Sequence, residues 1–438
     1  MRLYPKRFIN LLIRASTVIG LLVVFTITLQ AQMNDRDSDT SYANMATGEF
    51  TPTKGFQLAK TEYASLNLSI YGMSRYLNQM SPDSTWVDHL GNTKEFIGRN
   101  DIYWHRAMIW FNGFAISPKL TYQIAVWTVS TTQQTLVYGT FTYRFNKYIA
   151  LGAGMTPNVC IRSVQGNFPF FSATDRTMAE DGLRGGFTNG VFVTGEALPG
   201  LRYTAVLGNN LSILGVKAAN LKRHFSKSIS INWMPTTHEF GPRGGNGDFE
   251  NHNELATRFG VSYCHYRDNR FNNEDNPSPD NTQVRMSDGG LFFETGALAP
   301  GVTVIEANYD LLSVDLGFKY KGFALHSEFY YRTLSKFNAD GPVPINFIND
   351  NGYKVEALYM AVPKVLCVYG VHSMILDEFN RKPYEVGGGV NIYPLKTRSW
   401  RLNAQVMRVY KSAAGGTFGL YTTGHTGTTL TIGTDIFL

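Results

Sequence analysis

Three shortages frame this sequence. Its 438 residues hold three cysteines, Cys160, Cys264 and Cys367. An odd number, with no Cys-x-x-Cys and no Cys/His cluster at metal-ligand spacing, defines neither a disulfide framework nor a metal site. Charged residues make up only 17% of the chain. Beyond Met33 no apolar run reaches the ~18 residues that a membrane helix requires. The Gly-x-Ser-x-Gly elbow of many hydrolases is missing as well, and no cofactor is expected.

Glycine is plentiful at 42 residues, and aromatics reach 13%. The N-terminus explains the compartment. Arg2, Lys6, Arg7 and Arg14 come first with no acid, an apolar run from Thr17 to Leu29 follows, and Leu29-Gln30-Ala31 precedes Gln32. These are the three regions of a secretory signal peptide over 1–31. The uncharged run from Ala15 to Met33 leaves an anchor helix as the alternative. Removing 1–31 takes four basic residues from a formal charge of +6 and leaves +2, so the charge implies no nucleic-acid partner. An exported chain without a helical span meets lipid through strands, because only helices and closed barrels satisfy their backbone in hydrocarbon.

The strands are written in period-2 alternation. Leu312, Val314, Leu316, Phe318 and Tyr320 oppose Ser313, Asp315, Lys319 and Lys321. Trp400, Leu402, Ala404 and Val406 oppose Arg401, Asn403 and Gln405, and Ile229, Ile231 and Trp233 oppose Ser228, Ser230 and Asn232. One face suits lipid and the other a wet lumen. A first pass gives seventeen candidates, but nothing resembling a turn separates 301–310 from 312–321, and merging them gives an even sixteen, with eighteen left open. They are roughly 63–75, 104–116, 119–130, 135–145, 148–155, 184–197, 201–210, 226–235, 255–267, 303–321, 323–333, 353–362, 365–375, 385–393, 399–410 and 428–438. The expected fold is therefore all-β: a 16-stranded transmembrane antiparallel β-barrel over 63–438, behind a periplasmic segment 32–62, in a Gram-negative outer membrane.

Connections alternate between short turns, such as Ser117-Pro118, Leu198-Pro199-Gly200 and Gly322, and long loops at 76–103, 156–183, 211–225, 268–302, 334–352 and 411–427. That asymmetry is the habit of outer-membrane barrels. The Gly- and Asn-rich stretch 236–254 breaks it, and nothing in the sequence accounts for that. Aromatics near strand ends, Tyr143, Phe145, Tyr148, Phe329, Tyr330 and Tyr331, suit interfacial girdles. The apolar final strand with Phe437 penultimate suits recognition by barrel-assembly machinery, and outer-membrane lipid and lipopolysaccharide are the expected surroundings.

The loop 156–183 joins the fifth and sixth strands and is the candidate constriction. Phe168, Pro169, Phe170 and Phe171 would pin it to the wall, leaving Arg162, Asp175, Arg176, Glu180, Asp181 and Arg184 to face the pore. An external lid or a subunit contact is the other reading. The stretch from about 100 to 210 resembles the phosphate-selective porin O and P family. The likeness lies at His105-Arg106-Ala107, at Asn146 through Gly152 leading to Pro157, at Asp175-Arg176, and at Gly185-Gly186 through Gly190 to Gly195. A weaker echo runs from Phe318 to Glu328. The resemblance implies a sixteen-stranded, trimeric porin passing small solutes, with lumen basic groups guiding anions. Its candidates here are Arg106, Arg144, Arg202, Arg258, Lys319 and Arg401 besides the loop arginines. Guanidinium groups suit phosphate through bidentate contacts. Asp315 and Glu328 share the lumen face and there is no dense basic ladder, so the expected anion preference is weak.

Two other classes are weighed. A barrel hydrolase needs a His-activated Ser, but His326 and Ser327 alternate to opposite faces, and His224 and Ser226 are read as loop residues. The loop Asp268–Asn276 offers oxygen ligands without calcium-loop spacing. A non-conducting receptor or adhesin would keep the barrel and lose the passage.

Overall fold

The structure is a computed structural model and describes residues 51–53, 55–129, 134–166, 168–209, 224–269, 284–413 and 420–438. The signal segment 1–31 and most of the Asp268–Asn276 loop lie outside the described residues. A short strand, Phe56–Lys60, joins the barrel sheet by pairing antiparallel with Leu68 to Ser65, and sixteen strands close the barrel. They are β1 (Ser65–Met80), β2 (Asn100–Ala115), β3 (Ser117–Val129), β4 (Gln134–Arg144), β5 (Ala150–Pro157), β6 (Phe187–Leu198), β7 (Leu201–Gly208) and β8 (Ser226–Trp233). The second half is β9 (Ala256–Asn269), β10 (Val304–Tyr320), β11 (Phe323–Ala339), β12 (Phe347–Val362), β13 (Leu366–Leu376), β14 (Tyr384–Ile392), β15 (Trp400–Tyr410) and β16 (Gly427–Phe437). Each pairs antiparallel with its chain neighbour, and β16 closes on β1 from Thr428 opposite Met80 to Phe437 opposite Tyr71. Closure leaves no unpaired edge in the barrel.

The alternation holds in three dimensions. On β15, Leu402 and Val406 are 36% and 52% exposed, while Arg401, Asn403 and Gln405 are buried. The merged strand is real: β10 runs seventeen residues without interruption. Tight turns close one end of the barrel. At Gly200 the backbone takes φ +72, and a Cβ there would sit 2.4 Å from the Met234 carbonyl, so this turn requires glycine. Gly322 plays the same part between β10 and β11 at φ +84. The expected long loop 334–352 shrinks to 340–346, because β11 and β12 both extend past the expected strand ends. Ser226 opens β8, as the expected strand 226–235 has it and against its reading as a loop residue, and its hydroxyl donates to the Asn158 amide oxygen at 3.0 Å.

The core lies inside the barrel. On β9 to β13 the lumen-facing positions are buried along most of each strand. The inner wall has two characters. From β1 to β5 it is largely apolar, with Tyr71, Met73, Met108, Trp110, Ala125, Trp127, Tyr138 and Met155 packed with Phe168 and Phe171. From β8 to β15 it is largely polar and charged, with Ser230, Arg258, Asp315, Glu328, Arg332, Lys354, Glu385 and Arg401 among its buried members.

Candidate functional site

The segment 158–186 between β5 and β6 runs inside the barrel, and hydrogen bonds from the surrounding strands fix its course. Val159 N–H donates to Ser228 Oγ on β8 at 3.0 Å, and Gln165 Nε2 to Ser262 Oγ on β9 at 2.7 Å. The Cys160 carbonyl accepts from Ser313 Oγ on β10 at 2.9 Å, and the Leu183 carbonyl from the Tyr309 hydroxyl at 2.6 Å. Arg332 on β11 donates to the Gly182 carbonyl at 3.1 Å. Across the lumen, Ala179 N–H meets Ser373 Oγ on β13 at 3.2 Å, Met178 N–H meets Glu385 on β14 at 2.6 Å, and Thr174 N–H meets Gln405 on β15 at 3.1 Å. A strap held by six or more strands at once crosses the passage rather than lining one wall.

Local sequence builds its centre. Thr177 caps a short helix, α1 (Met178–Leu183), and Glu180 three residues on completes a capping box. The Thr-x-x-Glu spacing is a signal that sequence reading missed. The same Glu180 carboxylate meets Lys354 on β12 at 2.5 Å, and Glu328 and Glu356 stand 4.0 and 3.9 Å from that ammonium. One ammonium thus serves three carboxylates, all out of water.

The six candidate constriction residues are all in or next to this strap, but they are anchors rather than free pore charges. Arg162 N–H donates to Glu328 at 2.8 Å, its Nη1 lies 2.9 Å from His326 Nδ1, and its Nη2 donates to the Gly244 carbonyl at 2.6 Å. Asp175 accepts from Arg106 on β2 at 2.8 Å, with Arg75 of β1 at 3.9 Å. Arg176 folds back onto the Ser163 hydroxyl at 3.2 Å, and Asp181 pairs with Arg184 at 3.3 Å. Burial drives this outcome: a charge withdrawn from water is tolerated only when paired. Among the lumen candidates, Arg258 bonds Asp315 and Asn232, and Arg401 bonds Asp435 at 2.7 Å and the Phe171 carbonyl at 2.7 Å. Lys319 donates to the Phe240 and Gly245 carbonyls, each at 2.8 Å. Arg202 pairs with Glu196 at 3.4 Å, and Arg144 ends β4, half-buried.

The unexplained stretch 236–254 now has a role. It enters the barrel from the short-turn end and packs beneath the strap. Asn246 N–H donates to the Phe170 carbonyl at 2.8 Å and its amide to Glu356 at 2.6 Å. Arg243 donates to the Phe168 carbonyl at 2.9 Å and to Pro52 at 2.9 Å, which draws residues 51–53 to the same end. Arg398 reaches Glu250 at 3.2 Å. His252 is held between Asp248 and Glu239, with Nε2 2.7 Å from the latter, and these bonds raise its pKa to about 9 despite partial burial. Asp248, Glu250 and His252 group closely enough to suggest a metal site. With both ring nitrogens committed to carboxylates, the imidazolium is instead the cation of the group.

A third covering closes the long-loop end. Phe292, Phe293 and Leu298 pack into one buried cluster with Met178 and Leu183 of the strap. His89 Nδ1 meets Asp288 at 2.7 Å, and Arg381 donates to the Val87 carbonyl at 2.6 Å, tying this cover to the 81–99 loop. Neither insertion at the two ends was foreseen in the sequence.

No protein-family model matches the chain, and no curated protein matches it. Solved structures do. OmpT of Vibrio cholerae, folded in vitro, superposes at TM-score 0.53 with 11% identity over 86% of this chain and 99% of its own. Its trimer form gives 0.52 with 12% identity over 86% and 100%. An anion-selective porin from Comamonas acidovorans gives 0.51 with 11% identity over 86% and 100%. At these identities the likeness is one of fold: a closed outer-membrane-type barrel.

Proposed function

We propose that the chain is an outer-membrane porin-type channel for small hydrophilic solutes, held closed in this conformation by the strap 158–186. The inner wall from β8 to β15 carries the reading. It is polar and charged across the same strands whose outer faces are apolar, and a barrel interior kept only as a core has no need of such groups. Solutes would pass between the strap and this wall when the strap yields. Basic groups there, Arg162, Arg258, Lys319 and Arg401, would draw anions. Asp315, Glu328 and Asp435 stand beside them, so the preference is weak and the phosphate-selective character implied by the family resemblance is the outer limit of the proposal. The trimer form among barrels of the same fold supports a homotrimer. Catalysis has no place in this reading: Nδ1 of the buried His326 ring is taken by the Arg162 guanidinium.

A second reading is favoured by one observation. The lumen-facing residues of five successive strands, β9 to β13, are buried, which also suits a permanently closed receptor or adhesin. Swelling of proteoliposomes in sugars of graded size and in potassium salts of graded anions separates the two. The channel reading expects uptake with a sharp size limit and a modest anion advantage. Proteoliposomes that stay impermeable to every solute, even with the strap shortened, would establish the closed barrel.

A further inference from the structure

Two of the three cysteines meet inside the barrel. Cys160 is the third residue of the strap, and its backbone is pinned on both sides. Val159 N–H donates to Ser228 on β8 at 3.0 Å, and the Cys160 carbonyl accepts from Ser313 on β10 at 2.9 Å. Between those strands runs β9, where Cys264 is the ladder partner of Ser228 on one side and Leu311 on the other. The chain at Cys160 is therefore fastened to the two strands that flank Cys264. Both side chains are buried, they share one packed cluster, and both thiols are free in the structure. Gly185 N–H, at the far end of the strap, also donates to Cys160 Sγ at 3.1 Å. Cys367 sits apart on β13, opposite Met360, with its thiol on the Val368 carbonyl at 3.7 Å.

We infer that Cys160 and Cys264 form a disulfide in the exported protein, a covalent tether that fastens the root of the strap to the barrel wall. The inference rests on the outer-membrane reading, since disulfides persist where the compartment is oxidising. In the exchange, one cysteine thiolate attacks a disulfide-bearing oxidant of the periplasm and forms a mixed disulfide. The second thiolate then displaces the oxidant. Two protons and two electrons leave the cysteine pair, an S–S bond forms, and the oxidant departs as its dithiol. Neither thiol is reachable once the barrel is closed, so the bond forms while the strap is being laid against β8 to β10 and is sealed afterwards. The tether fixes only the start of the strap. The remainder, from Arg162 to Arg184, stays held by noncovalent contacts alone, so opening of the passage becomes a movement about a fixed root.

The test is a thiol count on full-length protein exported to the outer membrane of a Gram-negative host. Free thiols are blocked with a maleimide under denaturing conditions before any reductant is added, and the adducts are counted by intact mass. One adduct, at Cys367, with two more appearing after reduction, is the expected result. Cys160→Ser should then give two adducts without reduction, and no third. In native protein the pair should resist dithiothreitol until the barrel is unfolded. Heat-modifiable electrophoretic mobility of the same sample reports assembly independently. Three adducts in an assembled barrel would overturn the tether and leave the channel reading intact. A tethered barrel that conducts nothing would do the reverse.

Discussion

The Lys354 ammonium on β12 meets the Glu180 carboxylate of α1 at 2.5 Å, with each side chain only 1% exposed. The two residues lie 174 positions apart in the chain, and their contact ties the helix of the strap to the wall. Glu328 and Glu356 share the same ammonium. Lys354→Met should therefore strand three carboxylates out of water, at a cost of about 3–5 kcal/mol. Glu180→Gln, which leaves the lysine its other two partners, should cost less. Urea unfolding in detergent micelles, followed by the mobility shift of the folded barrel, orders the two variants. Equal stability of Lys354→Met and the parent would remove the anchor from the account.

Leu402 faces outward on β15, while its neighbour Asn403 is buried with the Thr174 hydroxyl of the strap against its amide oxygen. A cysteine at 402 should react with lipid-soluble reagents. A cysteine at 403 should react with neither lipid-soluble nor water-soluble maleimides while the strap is in place, and with the water-soluble one when the strap is deleted. Ready aqueous labelling at 403 in the intact protein would mean that the strap does not close this part of the lumen.

The barrel was legible because each strand states its own register. Alternation such as Leu312 to Tyr320 against Ser313 to Lys319 is complete within one segment, and turns such as Pro199-Gly200 mark the ends. What fills the barrel is not written locally. Asn246 finds Glu356 110 positions away, and Arg162 finds Glu328 166 positions away, so 236–254 reads as a misplaced loop until the wall around it is known. Apolar inner residues such as Met108 and Trp110 alternate with apolar outer ones, Ile109 and Phe111, which hides the face that packs on Phe168 and Phe171. The candidate charges were found by residue type. Their pairing was not, because burial rather than spacing decides it.

His252 carries a pH prediction. Its pKa rises from 6.5 to about 9, chiefly through its bonds to Asp248 and Glu239 against the opposing effect of burial. A raised value means that the folded state prefers the imidazolium. The stabilisation is complete below pH 6.5 and is lost as pH rises through about 9. Hydrogen-exchange protection over 234–255, corrected for the intrinsic rise of exchange with pH, should therefore fall between those limits in the parent. His252→Gln should show no such change across the same window. A parent whose exchange protection is flat across that window would deny the imidazolium its part in holding the segment.

Val406, near the middle of β15, is 52% exposed on the outer face. An arginine there would lie in the hydrocarbon, and Val406→Arg should destabilise the barrel by about 2–4 kcal/mol. Refolding equilibria in lipid vesicles supply the measurement. A neutral effect would place β15 away from lipid, against another subunit or outside the bilayer core.

The central claim is that a porin-type barrel is closed by its own strap, and single-channel recording in planar bilayers tests it most directly. The parent protein should show small or infrequent steps. A variant with residues 162–184 replaced by a short Gly-Ser link should show large, steady ones, and its reversal potential in a potassium chloride gradient should report a weak anion preference. A parent already wide open and unchanged by the replacement, or a strapless barrel that passes no current, would contradict the account.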